Sequence, residues 1–164
     1  MSGKDSQTSD DVSARQSAEQ ALRESEYRYR NLFQAMAASF WELDFSGVGA
    51  LLRQLKASGV RDFPAYFATH PGFVREMMHA TRVLDVNDQT VALCGRGDKA
   101  ELLTSVEPFW PESSNPVFAA SVIAAISGRP SFVSETRLRT IEGREFDAHF
   151  TACFPAESVA DGKL

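Results

Sequence analysis

The sequence predicts an α+β fold, in which an antiparallel sheet is flanked by short helices. Two runs that alternate between apolar and polar residues stand near the C-terminus, separated by a glycine turn. Short helical patterns and short β-branched or aromatic runs precede them, and a longer stripe with spacings of three and four residues lies near the N-terminus. With 164 residues, 43% of them hydrophobic, the chain is large enough to bury the core of one domain.

The N-terminal region divides into two predicted segments. Residues 1–16 are polar and carry almost no large apolar side chains, which predicts a disordered lead-in. Residues 17–36 predict an amphipathic helix that either lies on its own domain or acts as a dimerising signalling helix. The residues that we expect at a dimer contact share one stripe of this helix: Leu22, Tyr29, Leu32 and Met36.

The predicted domain covers residues 37–155 and starts with a short aromatic strand that ends before Ser46. Residues 46–79 predict a helical insertion, because Gly59 is a signal for the end of its first helix and Pro71 for the start of its last. A short β-branched second strand follows the insertion.

Capping signals place the elements between the second strand and the alternating runs. Asn87 is predicted to cap a helix that Gly95 ends, and residues 99–106 are predicted to form another short helix. Asn115 followed by Pro116 predicts the N-cap and the first residue of a longer helix. That helix is apolar nearly all round, so we expect it to be packed on most sides.

The alternating runs on either side of Gly143 predict an antiparallel hairpin with one buried face. Ser134 and Thr136 fall on the apolar side, where their hydroxyls offer hydrogen bonds to a ligand or to the sheet itself. Asp147 and His149 share the polar side, which we expect to face solvent.

Three stretches of the chain resemble the Per-Arnt-Sim (PAS) sensor domains of bacterial signalling proteins. ALRESEYRYRNLFQAM is similar to the helix that leads into such domains, and TRVLDVNDQTVALCG resembles their second strand and the helix after it. ISGRPSFVSETRLRTIEGREFDAHFTACFP resembles the end of their long helix and the hairpin that follows. The stretches cover about residues 20–45 and 80–155, most of the predicted folded chain.

Two features depart from the family pattern. A PAS core joins its first two strands by a short turn, whereas here residues 46–79 intervene, and we expect them against the sheet edge or a dimer partner. A PAS sheet also has a fifth strand, and the tail 156–164 stops before that strand would begin. We therefore expect either a piece of a longer protein or a shortened module with an unpaired sheet edge.

The resemblance implies a non-catalytic sensory and protein-interaction domain of a signal-transduction system, such as a two-component system. Binding of a ligand or partner would be transmitted by repacking of helices and sheet. The resemblance also implies a homodimer and an effector domain or signalling partner, such as a histidine kinase. Candidates for the lining of a small-molecule pocket, each of which also fits plain core, are Trp41, Leu84, Phe118, Ile123, Leu138 and Phe150.

Charge and hydropathy limit the expected partners and compartment. Seventeen Lys and Arg against 22 Asp and Glu give a net charge of -5, which argues against binding to a nucleic-acid backbone. Apolar runs are only a few residues long, so no membrane partner is predicted. The polar N-terminus and the two cysteines, Cys94 and Cys153, predict a cytoplasmic protein.

The sequence predicts no enzyme, no metal site and no bound cofactor. It contains no glycine-rich phosphate-binding motif, and Glu76 with His79 provides only half of a carboxylate-bridged metal site. The long helix has no histidine of the kind that haem-binding PAS relatives use. The residues around Cys94 differ from the motif of flavin-photosensing relatives. We therefore expect neither haem nor flavin.

Two alternatives stay open at this point. A small α+β enzyme or carrier of the cone-shaped, nuclear-transport-factor-like kind would use Asp85 or Asp147 in an apolar pocket as a general base. A ligand-free scaffold would only dimerise. Strand order discriminates the first alternative from a PAS domain, and binding of a small molecule discriminates the second.

Overall fold

A computed structural model describes residues 4–155 of the chain, with side chains from residue 12 onward. The chain has an α+β fold, as predicted, and forms two compact units, Met1–Ala38 and Ser39–Leu164. Within the described residues, no helix is both long enough and apolar enough to cross a membrane.

The first unit contains one long helix, α1 (Lys4–Ala35). The predicted disordered lead-in over residues 1–16 is therefore wrong from Lys4 onward, and residues 1–3 lie outside the described residues. A helix satisfies its backbone hydrogen bonds internally, so a polar segment forms one without burying apolar surface. Arg15 and Glu19, one turn apart with Nε and Oε1 separated by 3.4 Å, add to its stability.

The second unit begins with β1 (Trp41–Asp44), which pairs antiparallel with β2 (Arg82–Val86). Three helices lie between these strands, at the residues assigned to the insertion: α2 (Ser46–Ala57), α3 (Phe63–Thr69) and α4 (Pro71–Ala80). Gly47 allows α2 to approach the end of α4, because a Cβ at this position would lie 2.6 Å from the carbonyl oxygen of Ala80.

Helix α5 (Asp88–Cys94) follows β2 directly. Its N-cap is Asn87, as predicted, and Asn87 Oδ1 accepts a hydrogen bond from Thr90 N at 3.1 Å. The C-cap is Gly95, also as predicted. This helix therefore begins and ends where the capping signals place it.

The helix predicted over residues 99–106 is wrong in its second half. A 3-10 helix spans only Lys99–Leu102, and the chain then runs beside β2. Val83 N donates to Thr104 O at 2.8 Å, and Val106 N donates to the carbonyl oxygen of Thr81 at 3.1 Å. These bonds to β2 replace the helical bonds that a longer helix would make.

Two 3-10 turns, Glu107–Phe109 and Glu112–Ser114, lead into helix α6 (Asn115–Ile126). The predicted cap is wrong by one residue: Asn115 already has helical backbone angles at the end of the second turn, so Ser114 is the N-cap. Arg75 of α4 holds the first turn, since its Nη2 donates to Glu107 O at 3.1 Å.

The predicted hairpin is confirmed as β3 (Ser131–Arg139) and β4 (Glu145–Cys153). The strands pair antiparallel without a bulge, from Ser131 opposite Cys153 to Arg139 opposite Glu145. Gly143 adopts a φ of 86° in the turn, a conformation that glycine adopts without steric cost. Side chains of the two strands alternate between a half-buried and an exposed face.

The single antiparallel sheet that the sequence predicts is not formed by the described residues. They contain two separate two-stranded sheets, β1–β2 and β3–β4, and no strand that pairs with both. The two sheets nevertheless share one core with α2, α4 and α6. The largest fully buried side chains of that core are Met77, Met78, Leu102, Val48, Val74, Val86 and Val122.

Candidate functional site

A groove of about 580 Å³ lies between the start of α6 and the β3–β4 hairpin. This volume is within the range of small-molecule sites in proteins. The residues that line it are Ser113, Ser114, Val117, Glu135, Thr136, Arg137, Asp147, Ala148 and His149. Thr136 and Ala148 face each other across the hairpin, and their small side chains leave space that larger residues would fill.

Two buried polar atoms near this groove lack hydrogen-bond partners among the described residues. They are Thr136 Oγ1 and Asn115 Oδ1, on β3 and in the first turn of α6 respectively. The neighbouring hydroxyl of Ser134, which the sequence also offers to a ligand, donates instead to Glu135 O at 3.1 Å. A buried polar atom without a partner costs free energy that a ligand can recover.

The N-terminus of α6 also lies at the groove. Its N-cap, Ser114, makes no side-chain bond to the first turn, because its Oγ donates to Arg137 O at 2.7 Å. Pro116 in the first turn has no amide hydrogen of its own. Asn115 N donates to Glu112 O. The aligned peptide dipoles of α6 give this end of the helix a partial positive charge.

Charged side chains of the hairpin complete the groove on its outer side. Arg137 Nε lies 3.2 Å from Asp147 Oδ1, and Arg137 Nη1 lies 3.6 Å from Glu145 Oε2. Glu135 stands opposite His149 in the register of the two strands. Asp147 and His149 are exposed, as the alternation predicts.

The six predicted pocket residues do not line this groove. Five are at least partly buried and pack in or against the core: Trp41, Phe118, Ile123, Leu138 and Phe150. Trp110 fills the space that the pocket would occupy, with ring centroids 5.5 Å from Phe118 and 5.1 Å from Phe150. The sixth, Leu84, is 51% exposed because it points to the solvent side of β2.

The two aspartates that the enzyme alternative requires occupy different settings. Asp85 forms an ion pair with Lys99, which holds its carboxylate at the surface beside α5. The Asp147 side chain is 87% exposed and is paired with Arg137. Neither carboxylate stands in an apolar pocket of the kind that makes a general base at neutral pH.

The described residues contain no group of three potential metal ligands among His, Cys, Asp and Glu. Glu76 and His79 both lie exposed on α4. Burial raises the pKa of the Cys94 thiol to about 11, although the nearby Arg144 acts in the opposite direction. Cys94 is therefore protonated at neutral pH and a poor nucleophile.

The four stripe residues proposed for dimerisation lie on or just after α1. All four are exposed: Leu22, Tyr29, Leu32 and Met36. Tyr29 stacks on Phe33 one turn later, with ring centroids 5.8 Å apart. Leu32, at 71%, is the most exposed of the stripe.

Comparison with protein-family models, curated protein sequences and solved structures finds no match. Sequence reasoning identified the Thr136 hydroxyl but missed the groove at which it lies, because the start of α6 meets the hairpin only after folding. The Ser113-Ser114-Asn115-Pro116 run, rich in hydroxyls beside a helix start, was the available signal.

Proposed function

We propose that the chain is a non-catalytic PAS-type sensory and protein-interaction domain of a signal-transduction system. The order and pairing of its elements carry the proposal. A long helix precedes an antiparallel strand pair, short helices follow, and a longer helix then leads into an antiparallel hairpin. This is the order expected of a PAS domain with an insertion between its first two strands.

The groove between α6 and the hairpin is the proposed sensing site. Its hydroxyls, the positive end of the α6 dipole, and the apolar Val117 and Ala148 favour a small molecule with both hydrogen-bonding groups and an apolar part. Thr136 Oγ1 is buried, so a ligand reaches it only when α6 and β3 move slightly apart. Such a ligand prefers one arrangement of helix and sheet over another, which is what transmission requires.

The output of the domain is proposed to pass through the chain between α1 and β1. Asn87 Oδ1 and Thr90 Oγ1 both accept a bond from Phe40 N, at 3.0 and 2.9 Å. Ser39 Oγ lies 2.8 Å from Thr90 Oγ1, and Trp41 Nε1 donates to Ser39 Oγ at 3.0 Å. A shift of the β1–β2 pair would therefore move the residues that follow α1, toward an effector such as a histidine kinase.

We propose that two copies of the chain associate through α1, so that the residues that follow α1 move within a dimer. Exposed leucines on one stripe of a helix favour pairing with a second helix, because pairing removes apolar surface from water. We expect Leu32→Glu to lower the sedimentation coefficient of the full chain at high concentration, whereas Arg23→Glu, an exposed charge change on α1, leaves it unchanged. A wild-type chain that is monomeric at high concentration contradicts helix pairing.

The ligand proposal is tested by native mass spectrometry and absorbance of the purified full chain. We expect a co-purifying small molecule that Thr136→Val releases and Thr151→Val, at an exposed position of β4, retains. A protein that is empty and dimeric would instead support the scaffold alternative. Retention of the molecule by Thr136→Val would show that the groove is not the sensing site.

A further inference from the structure

The outer edge of β4 is defined by backbone hydrogen bonds at the two ends of the hairpin. Thr140 N donates to Arg144 O at 2.9 Å, and Phe154 N donates to Pro130 O at 2.8 Å. Hydrogen-bonded pairs recur at every second residue of an antiparallel ladder. Even-numbered residues of β4 therefore bond to β3, and odd-numbered residues within 145–153 direct their N–H and C=O groups away from it.

Parts of the β2 and β3 edges are contacted by neighbouring segments. Thr104–Val106 runs along β2. At β3, Arg137 O accepts from Ser114 Oγ, and Arg139 Nε donates to Pro108 O at 2.9 Å. In the described part of the chain, no backbone group pairs with the odd-numbered residues of β4. An uncovered edge of this kind is a template for another strand.

We propose that β4 pairs antiparallel with β4 of a second copy of this chain, about a twofold axis beside Ala148. In this register Asp147 of each copy stands opposite His149 of the other. Within each hairpin, Glu135 already faces His149 and Arg137 faces Asp147. One row across the four strands therefore reads Glu135, His149, Asp147, Arg137, in which acidic and basic groups alternate.

The other face of the joined sheet is complementary in the same register. Phe146 stands opposite Phe150 of the second copy, and Ala148 stands opposite itself, all in the closely spaced pairs that make no hydrogen bond to each other. Phe146 and Phe150 are only partly buried in the single chain. Aromatic pairs across strands stabilise a sheet, so the apolar face favours the same register as the row of acidic and basic groups.

Moving the twofold axis by one residue in either direction removes the agreement between the two faces of the joined sheet. An axis at Asp147 places two Asp147 carboxylates directly opposite each other, where like charges destabilise the pair. An axis at His149 places the two imidazoles opposite each other and Asp147 opposite the uncharged Thr151. Among these three registers, the axis beside Ala148 is therefore the one that combines alternating acidic and basic groups with aromatic pairs.

Pairing through the β4 edge goes beyond the proposed sensory function and is separate from helix pairing through α1. It would give the chain two surfaces for self-association, one on each compact unit. A cross-link specific to β4 tests it without regard to what α1 does, so either proposal can fail alone.

The test is disulfide cross-linking of the full chain in a Cys153→Ser background, which removes the exposed native thiol. Ala148→Cys places two thiols in a closely spaced pair with about 4.5 Å between Cα atoms, a distance that a disulfide spans. Ala152→Cys, on the same face of the same strand, places them roughly 27 Å apart. We expect a cross-linked dimer from Ala148→Cys under mild oxidation and none from Ala152→Cys.

A second pair of variants tests whether the backbone edge forms the contact. Thr151→Pro removes an outward N–H of β4 and leaves the bonds to β3 intact, so we expect it to abolish the Ala148→Cys cross-link. Val133→Pro makes the corresponding change on the far edge of β3 and should leave the cross-link unchanged, with the circular dichroism spectrum as the check on folding. Equal cross-linking at residues 148 and 152 overturns the proposal. Absence of a cross-link at both positions also overturns the proposal. That result would favour binding of an extended peptide of another protein at the β4 edge.

Discussion

The β1–β2 pair and the β3–β4 hairpin differ in how completely they are enclosed. Around β1–β2, Thr104–Val106 covers the edge of β2, and the fully buried Asn87 uses its side-chain oxygen for three hydrogen bonds. The hairpin has a β4 edge that no described residue pairs with, and Thr136 Oγ1 and Asn115 Oδ1 lack partners beside its groove. Enclosed polar groups favour a rigid support, whereas unsatisfied ones favour a binding surface.

The difference also separates roles within one domain. The β1–β2 pair acts as a rigid support, which determines where the chain that follows α1 is held. The hairpin presents both the groove and the open edge. On this account, a ligand or second copy acts on the hairpin, and the effect reaches the support through α6, which contacts β3, α3 and α4.

The largest expected difference in stability is between substitution of Asn87, beside the β1–β2 pair, and substitution of Asn115, beside the hairpin groove. Asn87→Ala removes the buried side-chain oxygen that caps α5 and accepts from Phe40 N and Thr90 N, so we expect a loss of about 2 kcal/mol in the free energy of unfolding. Asn115→Ala removes a side-chain oxygen that has no described partner and should change this energy by less than about 0.5 kcal/mol. Urea denaturation measures both, and equal losses would contradict the comparison.

Smaller changes in stability, opposite in sign to each other, are expected on substituting two threonines near the hairpin. Thr140 is buried, and its Oγ1 accepts a bond from Arg144 N at 3.2 Å, so Thr140→Val should cost about 1 kcal/mol. Thr136→Val replaces an unpartnered buried hydroxyl with a methyl group and should stabilise the ligand-free protein by up to about 1 kcal/mol. Thermal unfolding at one pH checks the pair. Destabilisation by Thr136→Val would mean that this hydroxyl is already satisfied.

The smallest effect at neutral pH concerns Cys94, at the end of α5. Its pKa is raised from 9.0 to about 11 mainly by burial, so the folded protein keeps a proton that the unfolded chain loses near pH 9. The contribution of this thiol to stability is therefore complete below pH 9 and is lost as pH rises toward 11. Cys94→Ala should reduce the fall in unfolding free energy between these pH values. An unchanged fall would show that the thiol is not sheltered from water.

Local signals predicted the elements of the fold well where the chemistry is local. Asn87 caps a helix as expected, and the alternation around Gly143 predicts the hairpin and its faces. The helical start of α1 was missed because the prediction weighed burial, which a solvated helix does not need. The 99–106 segment was misassigned because its partner, β2, lies far away in sequence.

The candidate site was harder to predict because it depends on packing. Trp41, Phe118 and Phe150 were expected to surround a cavity, but size and hydrophobicity do not distinguish the lining of a cavity from a filled core. Trp110 occupies that space. The groove arises where Thr136 and Ala148 happen to meet the start of α6, a juxtaposition that only the three-dimensional arrangement reveals.

The most direct test of the open hairpin is amide hydrogen exchange of the full chain by NMR at low and high protein concentration. We predict that the amides of Asp147, His149 and Thr151 exchange fast in dilute solution, while those of Ala148 and Phe150 are protected by β3. The first three amides should become protected as the concentration rises and β4 edges pair. Protection of Asp147 and His149 in dilute solution, equal to that of Ala148, would contradict an open edge. Fast exchange at every concentration would contradict the pairing.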